Sequence, residues 1–386
     1  MAALTTPLMR DLQFHAFCLT DTGSRLDQYA RAIARVVQPG DVVVDLGAGT
    51  AILSFLACRA GARRVYAIEA SDAFAYGEML AKASGYDDRV QVIRGSSSQV
   101  ILPERADAIV GDIHDTFGLQ ATGLGSWIDA RERFLRPGGA IIPSSVQLFV
   151  APVEATDLYR RTVDVWCQQI HGIDVSPIRT LAVNQQYPAR FSREQLIATP
   201  SPLATIALAS TTAVHVSGTA RVTAARPATF HGLCGSFVTT LADGIEMSNT
   251  PGHCDTTNFA QAFFPIDVPH AIGEGDCLAM HIDSFDGTQL RWQVEITPHS
   301  GASPARFEHS TFRSMPLSAD TLAKTARDYR PRLTPRGAAE RALLDRFDGS
   351  ASISQLESWL LERFGDRLPS AREAAAFLKA TIDRCG

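Results

Sequence analysis

The chain lacks several features that would classify it quickly. Its 386 residues contain seven cysteines (Cys18, Cys58, Cys167, Cys234, Cys254, Cys277 and Cys385), scattered, odd in number and with no pair at C-x-x-C spacing. Neither a zinc ligand set nor a disulfide framework is therefore expected, and no metal site is read. No run of about 18 apolar residues is present to cross a membrane. The opening stretch MAALTTPLMRDLQFHAF has no basic segment leading into an apolar core, so no signal peptide is read and a reducing cytoplasm is the expected compartment. Basic residues are not in excess: the net charge is −5 and the pI about 6.1, which argues against an extended nucleic-acid surface. There is no internal repeat and no low-complexity segment. What is left is a globular composition, 45% hydrophobic and 20% charged, long enough for two or three domains.

Three kinds of patterning follow one another. Up to about residue 36 the spacing of Leu26, Tyr29, Ala30 and Ile33 is helical. From Asp41 continuously apolar strands alternate with helices: VVVDL, RVYAIEA, RVQVIRG and ADAIVGD are the strands, and SWIDARERFLRPGG is read as a helix with a Pro-Gly-Gly exit. Such alternation predicts a parallel sheet covered on both faces. After about residue 146 two-residue alternation takes over. In LAMHIDSFDGTQLRWQVEI, Leu278, Met280 and Ile282 alternate, Asp286-Gly287 turns, and Leu290, Trp292, Val294 and Ile296 alternate again. The tail returns to helix, with Thr334 before Pro335 and a Ser370/Glu373 pair at capping-box spacing.

The stretch VVVDLGAGTAILS places Gly47 and Gly49 between the first strand and its helix, where a ligand can approach the backbone and free N–H groups. Asp45 either contacts the ligand or braces the turn. Glu69 closes the second strand 22 residues after Gly47, where a carboxylate accepts both hydroxyls of a ribose, with Ala70 beside it. The last glycine of a dinucleotide fingerprint would fall at Ile52. Its absence argues against a pyrophosphate on that helix and for a ribose ligand without one, such as S-adenosylmethionine (SAM).

From VVVDLGAGTAILSFLACRAGARRVYAIEAS onward the sequence resembles the protein arginine methyltransferases, a class I SAM-dependent family whose recurring form is GTGILS…AAKAGA…V…IE.S. CLTDTGSRLDQYARAI resembles the family's cofactor-covering helix, which implies that Arg25 holds the methionine carboxylate. VIRGSSSQVILPERADAIVGD resembles its adenine-contacting segment and implies Ser97 and Ser98 beside the ring. VWCQQIHGIDVSPIRTLAV resembles the stretch near its dimerisation arm, and TTNFAQAFF falls at its Thr-His-Trp loop, putting Asn258 and Phe259 on the substrate side. The resemblance covers roughly residues 10 to 297. It implies a Rossmann-like SAM domain, an antiparallel β-barrel and a homodimer.

The resemblance also locates two departures. The family carries two glutamates on one active-site loop that together grip a guanidinium. Here the loop reads GDIHDTFGLQATG: Asp112 matches the first acid and Ala121 falls at the second, while His114 and Asp115 are new and Asn258 replaces the loop histidine. Bidentate holding of a guanidinium fork is thereby compromised. Asp112 could orient an acceptor or take a proton, and His114 could take a proton from the substrate. Asp112, His114 and Asp115 are therefore the candidate catalytic residues, and Asp112 also counts on the cofactor side.

The expected organisation is an N-terminal helical cover (1–36), a Rossmann-like α/β domain (37–145), a β-barrel substrate domain (146–315) with an arm near 158–195, and a small helical appendage (331–386). The appendage resembles leader-peptide-binding domains of the PqqD type, through an Asp-Gly followed by two amphipathic helices. The expected function is methyl transfer to nitrogen or oxygen of a peptide or small molecule in a biosynthetic pathway. The alternatives are protein arginine N-methylation and a non-catalytic SAM-binding scaffold that recruits a peptide. No nucleic-acid or membrane partner is expected.

Overall fold

Two helices, Pro7–Thr20 (α1) and Asp27–Val36 (α2), precede the first strand in this computed structural model, which describes residues 7–20, 25–119, 123–254, 257–285, 287–316 and 318–385. Val42–Leu46 (β1) is buried at every residue, as a central strand covered on both faces must be. Ile52–Ala60 (α3), Arg64–Glu69 (β2), Phe74–Ala83 (α4), Val90–Arg94 (β3) and Ala106–Gly111 (β4) follow in alternation. A short hairpin, His114–Asp115 (β5) with Gly118–Leu119 (β6), leads to Gly123–Phe134 (α5) and Leu135–Ile142 (β7). The parallel order is β3-β2-β1-β4-β7. The chain therefore reverses its winding between β1 and β4, and the crevice beyond their carboxyl ends is where such sheets bind ligands.

One sequence boundary moves. The helix expected to leave through Pro137-Gly138-Gly139 already stops at Phe134, and the strand begins at Leu135, ahead of that exit. Pairing with β4 jumps from Leu135 opposite Ala106 to Ala140 opposite Ala108, so the Pro-Gly-Gly segment bulges out of the ladder.

The antiparallel half begins at Ser145–Val153 (β8). Thr156–Thr162 (α6), a two-residue-stranded hairpin of Gln169–Ile170 (β9) and Ile173–Asp174 (β10), and Arg179–Ala182 (α7) form the segment expected as an arm. Then come Tyr187–Ala189 (β11), Ser201–Ala207 (β12), His215–Thr223 (β13), Ala228–Ala242 (β14), Ile245–Ser248 (β15), Gln261–Ile272 (β16), Cys277–Phe285 (β17), Gln289–Thr297 (β18) and Ala305–Ser310 (β19). They make one sheet in the order β11-β16-β14-β8-β12, with β15 on β14, and a second in the order β13-β17-β18-β19. The sheets come together at β12 and β13, where a Cβ on Gly218 would collide with the Leu203 carbonyl. Leu278, Met280, Ile282, Leu290, Trp292, Val294 and Ile296 are all buried, as their alternation requires. The Asp286 half of the turn between them lies outside the described residues.

The chain divides into two compact units, 1–316 and 317–386. The second begins earlier than the expected 331, because it includes Ala319–Ala323 (α8). Its core is formed by Leu343, Leu356, Leu360, Phe377 and neighbours on Pro335–Leu344 (α9), Ile353–Phe364 (α10) and Ala371–Cys385 (α11). Thr334 caps α9 by accepting from the Gly337 amide at 3.0 Å, and Ser370 accepts from the Glu373 amide at 3.2 Å. A full capping box at Ser352 and Gln355, which sequence reading missed, opens α10. Among the described residues no helix is long and apolar enough to cross a membrane, no cysteine is in a disulfide, and no cluster of ligating side chains could hold a metal.

The N-terminal helices are joined to the sheet through a buried polar contact. Tyr29 of α2 is fully buried and its hydroxyl donates to the Gly111 carbonyl at the end of β4, 2.8 Å away. Tyr29→Phe leaves that carbonyl without its side-chain donor and is expected to cost about 1–2 kcal/mol. Urea denaturation measures this; an unchanged midpoint would remove the contact from the account.

Candidate active site

The glycine turn after β1 is built from left-handed residues. Gly47 and Gly49 have φ of 71° and 52°, conformations that glycine adopts without cost. Ala51 also sits at φ 60°, fully buried at the start of α3. That position corresponds to the glycine of the family's GTGILS form. A Cβ on Gly49 would lie 2.6 Å from the His15 ring, so α1 closes over the turn as tightly as glycine allows. Glu69 reaches the turn from β2: one carboxylate oxygen accepts from the Gly49 amide at 2.8 Å, the other from the Ser71 amide at 2.7 Å.

Asp45 takes the bracing role. It is buried beneath the turn and accepts from the Ser54 amide (2.9 Å) and hydroxyl (2.7 Å) of α3. Burial raises its pKa to about 7, against the two Ser54 hydrogen bonds that lower it. It is absent from the cavity lining, so the structure gives it no place beside a ligand.

A cavity of about 240 Å³ lies at the carboxyl ends of β1, β2 and β4. Gly47, Gly49 and Glu69 form its floor, Phe14, His15 and Cys18 of α1 its cover, and Arg25, Asp112, His114 and Phe259 its far end. Arg25, at the start of α2 and 6% exposed, pairs with one carboxylate oxygen of Asp112 and donates to the Cys18 carbonyl. The other Asp112 oxygen meets His114 Nδ1 at 2.9 Å. His114 Nε2 lies 3.0 Å from the Thr239 hydroxyl of β14. The imidazole is enclosed, stacked on Phe237 with centroids 5.2 Å apart, and burial lowers its pKa to about 3. It thus stays neutral, and both nitrogens are engaged. That differs from the expectation of an imidazole open to the substrate.

Asp115 is turned the other way. Its carboxylate accepts from the Phe117 amide at 2.8 Å, bracing the hairpin, and it does not line the cavity. Burial raises its pKa to about 6. Ala121, at the position of the family's second acid, lies outside the described residues. Of the two residues expected on the substrate side, Phe259 faces the cavity, with the Arg25 guanidinium 5.9 Å from its ring centre. Asn258 is exposed and off the lining, its carbonyl accepting from Arg190 at 2.6 Å. Buried Asn249 joins the two loops: its amide nitrogen donates to the carbonyls of Thr116 (3.0 Å) and Ala260 (2.8 Å), and its oxygen accepts from the Phe237 amide (2.7 Å).

Ala70, Ser97 and Ser98 are not among the lining residues. Ser97 is buried and its carbonyl is taken by Arg133, while Ser98 is exposed and its hydroxyl pairs with that of Ser96. Sequence reading missed Thr239, Asn249, His15 and Cys18. The first lies on a distant strand and the second just past another, with no motif to mark them. The helix carrying the last two was expected as a cover, but its inner face could not be chosen from spacing alone.

Residues 144–296 match the profile of the arginine methyltransferase oligomerization subdomain, and residues 27–146 that of ribosomal protein L11 methyltransferase. The chain is arginine-methyltransferase-like. It is 40% identical over 161 residues to a probable protein arginine N-methyltransferase 6 of Arabidopsis thaliana, covering 41% of this chain and 37% of that one. It is 35% identical over 176 residues to protein arginine N-methyltransferase 6 of Xenopus laevis, covering 45% and 51%. The matched segments therefore span about half or less of these relatives. In fold, this methyltransferase-like chain superposes on a chain of the Trypanosoma brucei PRMT1 enzyme–prozyme heterotetrameric complex with AdoHcy, at TM-score 0.69 and 21% identity over 77% of this chain and 97% of that one. Arabidopsis thaliana protein arginine methyltransferase 10 aligns at TM-score 0.64 and 23% identity, over 75% and 95%.

Ala51 gives a direct test of the turn. A non-glycine residue held left-handed costs about 1–2 kcal/mol. Ala51→Gly is therefore expected to raise stability by about 1 kcal/mol, opposite to the usual Ala→Gly effect in a helix. Thermal or denaturant unfolding decides it, and a loss of stability would show that the turn is not strained there.

Proposed function

We propose that the chain is a SAM-dependent N-methyltransferase whose acceptor is the guanidinium of an arginine in a protein or peptide. The relatives' names support this over the broader expectation of a nitrogen or oxygen acceptor in a biosynthetic pathway. The single observation that carries it is Asp112, a carboxylate at the end of β4 that lines the cavity yet is almost wholly shielded from water.

The residues fit the cofactor. Glu69 is fixed by two amides and faces the cavity, as ribose hydroxyls require, and the two glycines leave the turn without side chains. Arg25 stands at the opposite end as a cation for a carboxylate. When bound, SAM supplies an electrophilic methyl group on a sulfonium. Asp112 then accepts N–H from the guanidinium and aims a nitrogen along the line of transfer; Arg25 and His114 keep that carboxylate ionised and in place. Phe259 and the cover helix exclude water.

Ala121 gives weight to a second reading, a SAM-binding subunit without transfer, because it stands at the position of the second carboxylate of the guanidinium grip. We also infer self-association through the arm, whose Ile170, Ile173 and Ile178 are exposed within the segment that matches an oligomerization profile. Sedimentation of the wild type against a triple Ile→Ser variant tests it: equal mass for both counts against the arm.

Two measurements separate the readings. Glu69→Gln and Arg25→Ala should each weaken SAM binding about 10-fold or more by calorimetry; undiminished affinity in both would remove the assigned pocket. Transfer to arginine peptides should fall at least about 100-fold in Asp112→Asn and rise in Ala121→Glu, which restores the second acid. Wild-type transfer no higher than in Asp112→Asn would favour the non-catalytic subunit.

A further inference from the structure

We propose that Thr239 and His114 form a neutral hydrogen-bond relay that aims the Asp112 carboxylate into the cavity, so that both are positioning residues for acceptor methylation. The inference rests on the transfer activity proposed above for what the relay serves, but not for whether the relay exists.

The argument follows the protons. An ionised carboxylate only accepts, so the 2.9 Å contact with Asp112 requires His114 Nδ1 to carry hydrogen. A neutral imidazole then has a bare Nε2, and the Thr239 hydroxyl 3.0 Å away is the donor that satisfies it. Thr239 is fully buried and the His114 side chain has no exposed surface, so water does not compete. Burial also keeps the ring neutral, with a pKa lowered to about 3. The relay therefore supplies a fixed donor and no charge.

The ring is held in place as well as in tautomer. Phe237 stacks on it, and Phe259 lies with its centroid 6.3 Å away, so a flip must displace two aromatic side chains. Arg25 takes the other Asp112 oxygen. If a ligand carboxylate draws on Arg25, His114 still fixes the remaining oxygen. Among the described residues, the charged and titratable groups around the pair are Arg25 just before α2, Tyr29 from α2, His15 and Cys18 from α1, Glu69 from β2 and Asp115 from the hairpin. β14 contributes Thr239 and Phe237 among the described residues, and the loop after β15 contributes Phe259. For a site whose second acid is replaced by Ala121, the aim of a single carboxylate rests on this relay.

The test uses the full-length protein. Nitrogen-15 NMR with labelled histidine should show His114 protonated at Nδ1 and bare at Nε2, and still neutral at about pH 5, well below an ordinary histidine pKa of about 6.5. Thr239→Val leaves Nε2 without its donor while Asp112 still demands hydrogen on Nδ1. It should therefore shift the Nε2 resonance, lower kcat/KM at pH 7 about 10-fold and move the acidic limb of its pH profile upward, because a ring no longer held at Nε2 donates less well to the charged carboxylate. Thr239→Ser should restore both. SAM affinity should change less than about 2-fold in either variant, which separates a lost aim from a collapsed site. Hydrogen on Nε2, titration near pH 6.5, or an unmoved acidic limb in Thr239→Val would overturn the relay. The tautomer is read without turnover. A wild type that methylates no arginine peptide but shows hydrogen on Nδ1 therefore defeats the proposed function and leaves the relay standing.

Discussion

A carboxylate shielded from water must be paired, and Asp112 is paired twice. Taking an ion out of water costs several kcal/mol unless hydrogen bonds and an opposite charge replace the hydration. Arg25 answers from the start of α2, 87 residues earlier in the chain, and His114 answers from the hairpin that follows β4. His114 is itself satisfied by Thr239, 125 residues later. The N-terminal cover, the parallel sheet and the antiparallel domain thus meet at one side chain. Losing Arg25 or His114 would leave one oxygen of a shielded carboxylate unpaired, and losing Thr239 would leave a buried imidazole nitrogen without its donor.

The two sides of the cavity are built by different means. The cofactor side is local: a strand, a glycine turn and an acid at the end of the next strand all come from residues 42–71. Its hydrogen bonds are mostly to backbone amides, which any sequence of this pattern supplies. The far end is assembled from β14, the segment after β15 and the hairpin after β4, and each contact there depends on a particular side chain: His114 on Thr239, and Asn249 on the carbonyls of Thr116 and Ala260. Changes of residue type alter such a network more readily than they alter an amide-lined turn.

This difference also explains what could be read from the sequence. The period-two stripe from Leu278 to Ile296 and the spacing from Gly47 to Glu69 are short-range signals, and they led to the right strands and the right turn. Asp45 was open between two roles because choosing required knowing that Ser54 lies over it. The sequence offers His114 as a base for the substrate's proton; Phe237 and Thr239 enclose it instead, and no local pattern encodes a strand more than a hundred residues away. Asp115 likewise turns back on its own hairpin. The Pro-Gly-Gly segment reads as an exit from a helix, but the ladder with β4 resumes beyond it and makes it a bulge.

Asn249 ties the hairpin carrying His114 to the loop carrying Phe259 through two donated bonds, and to β14 through a third. A single buried amide therefore makes the two acceptor-facing loops one mechanical unit. A graft of either loop alone keeps these bonds only where its backbone carbonyl returns to the same place beside Asn249. Exchanged acceptor preferences should be sought by transplanting residues 112–119 and 249–261 together, as one cassette.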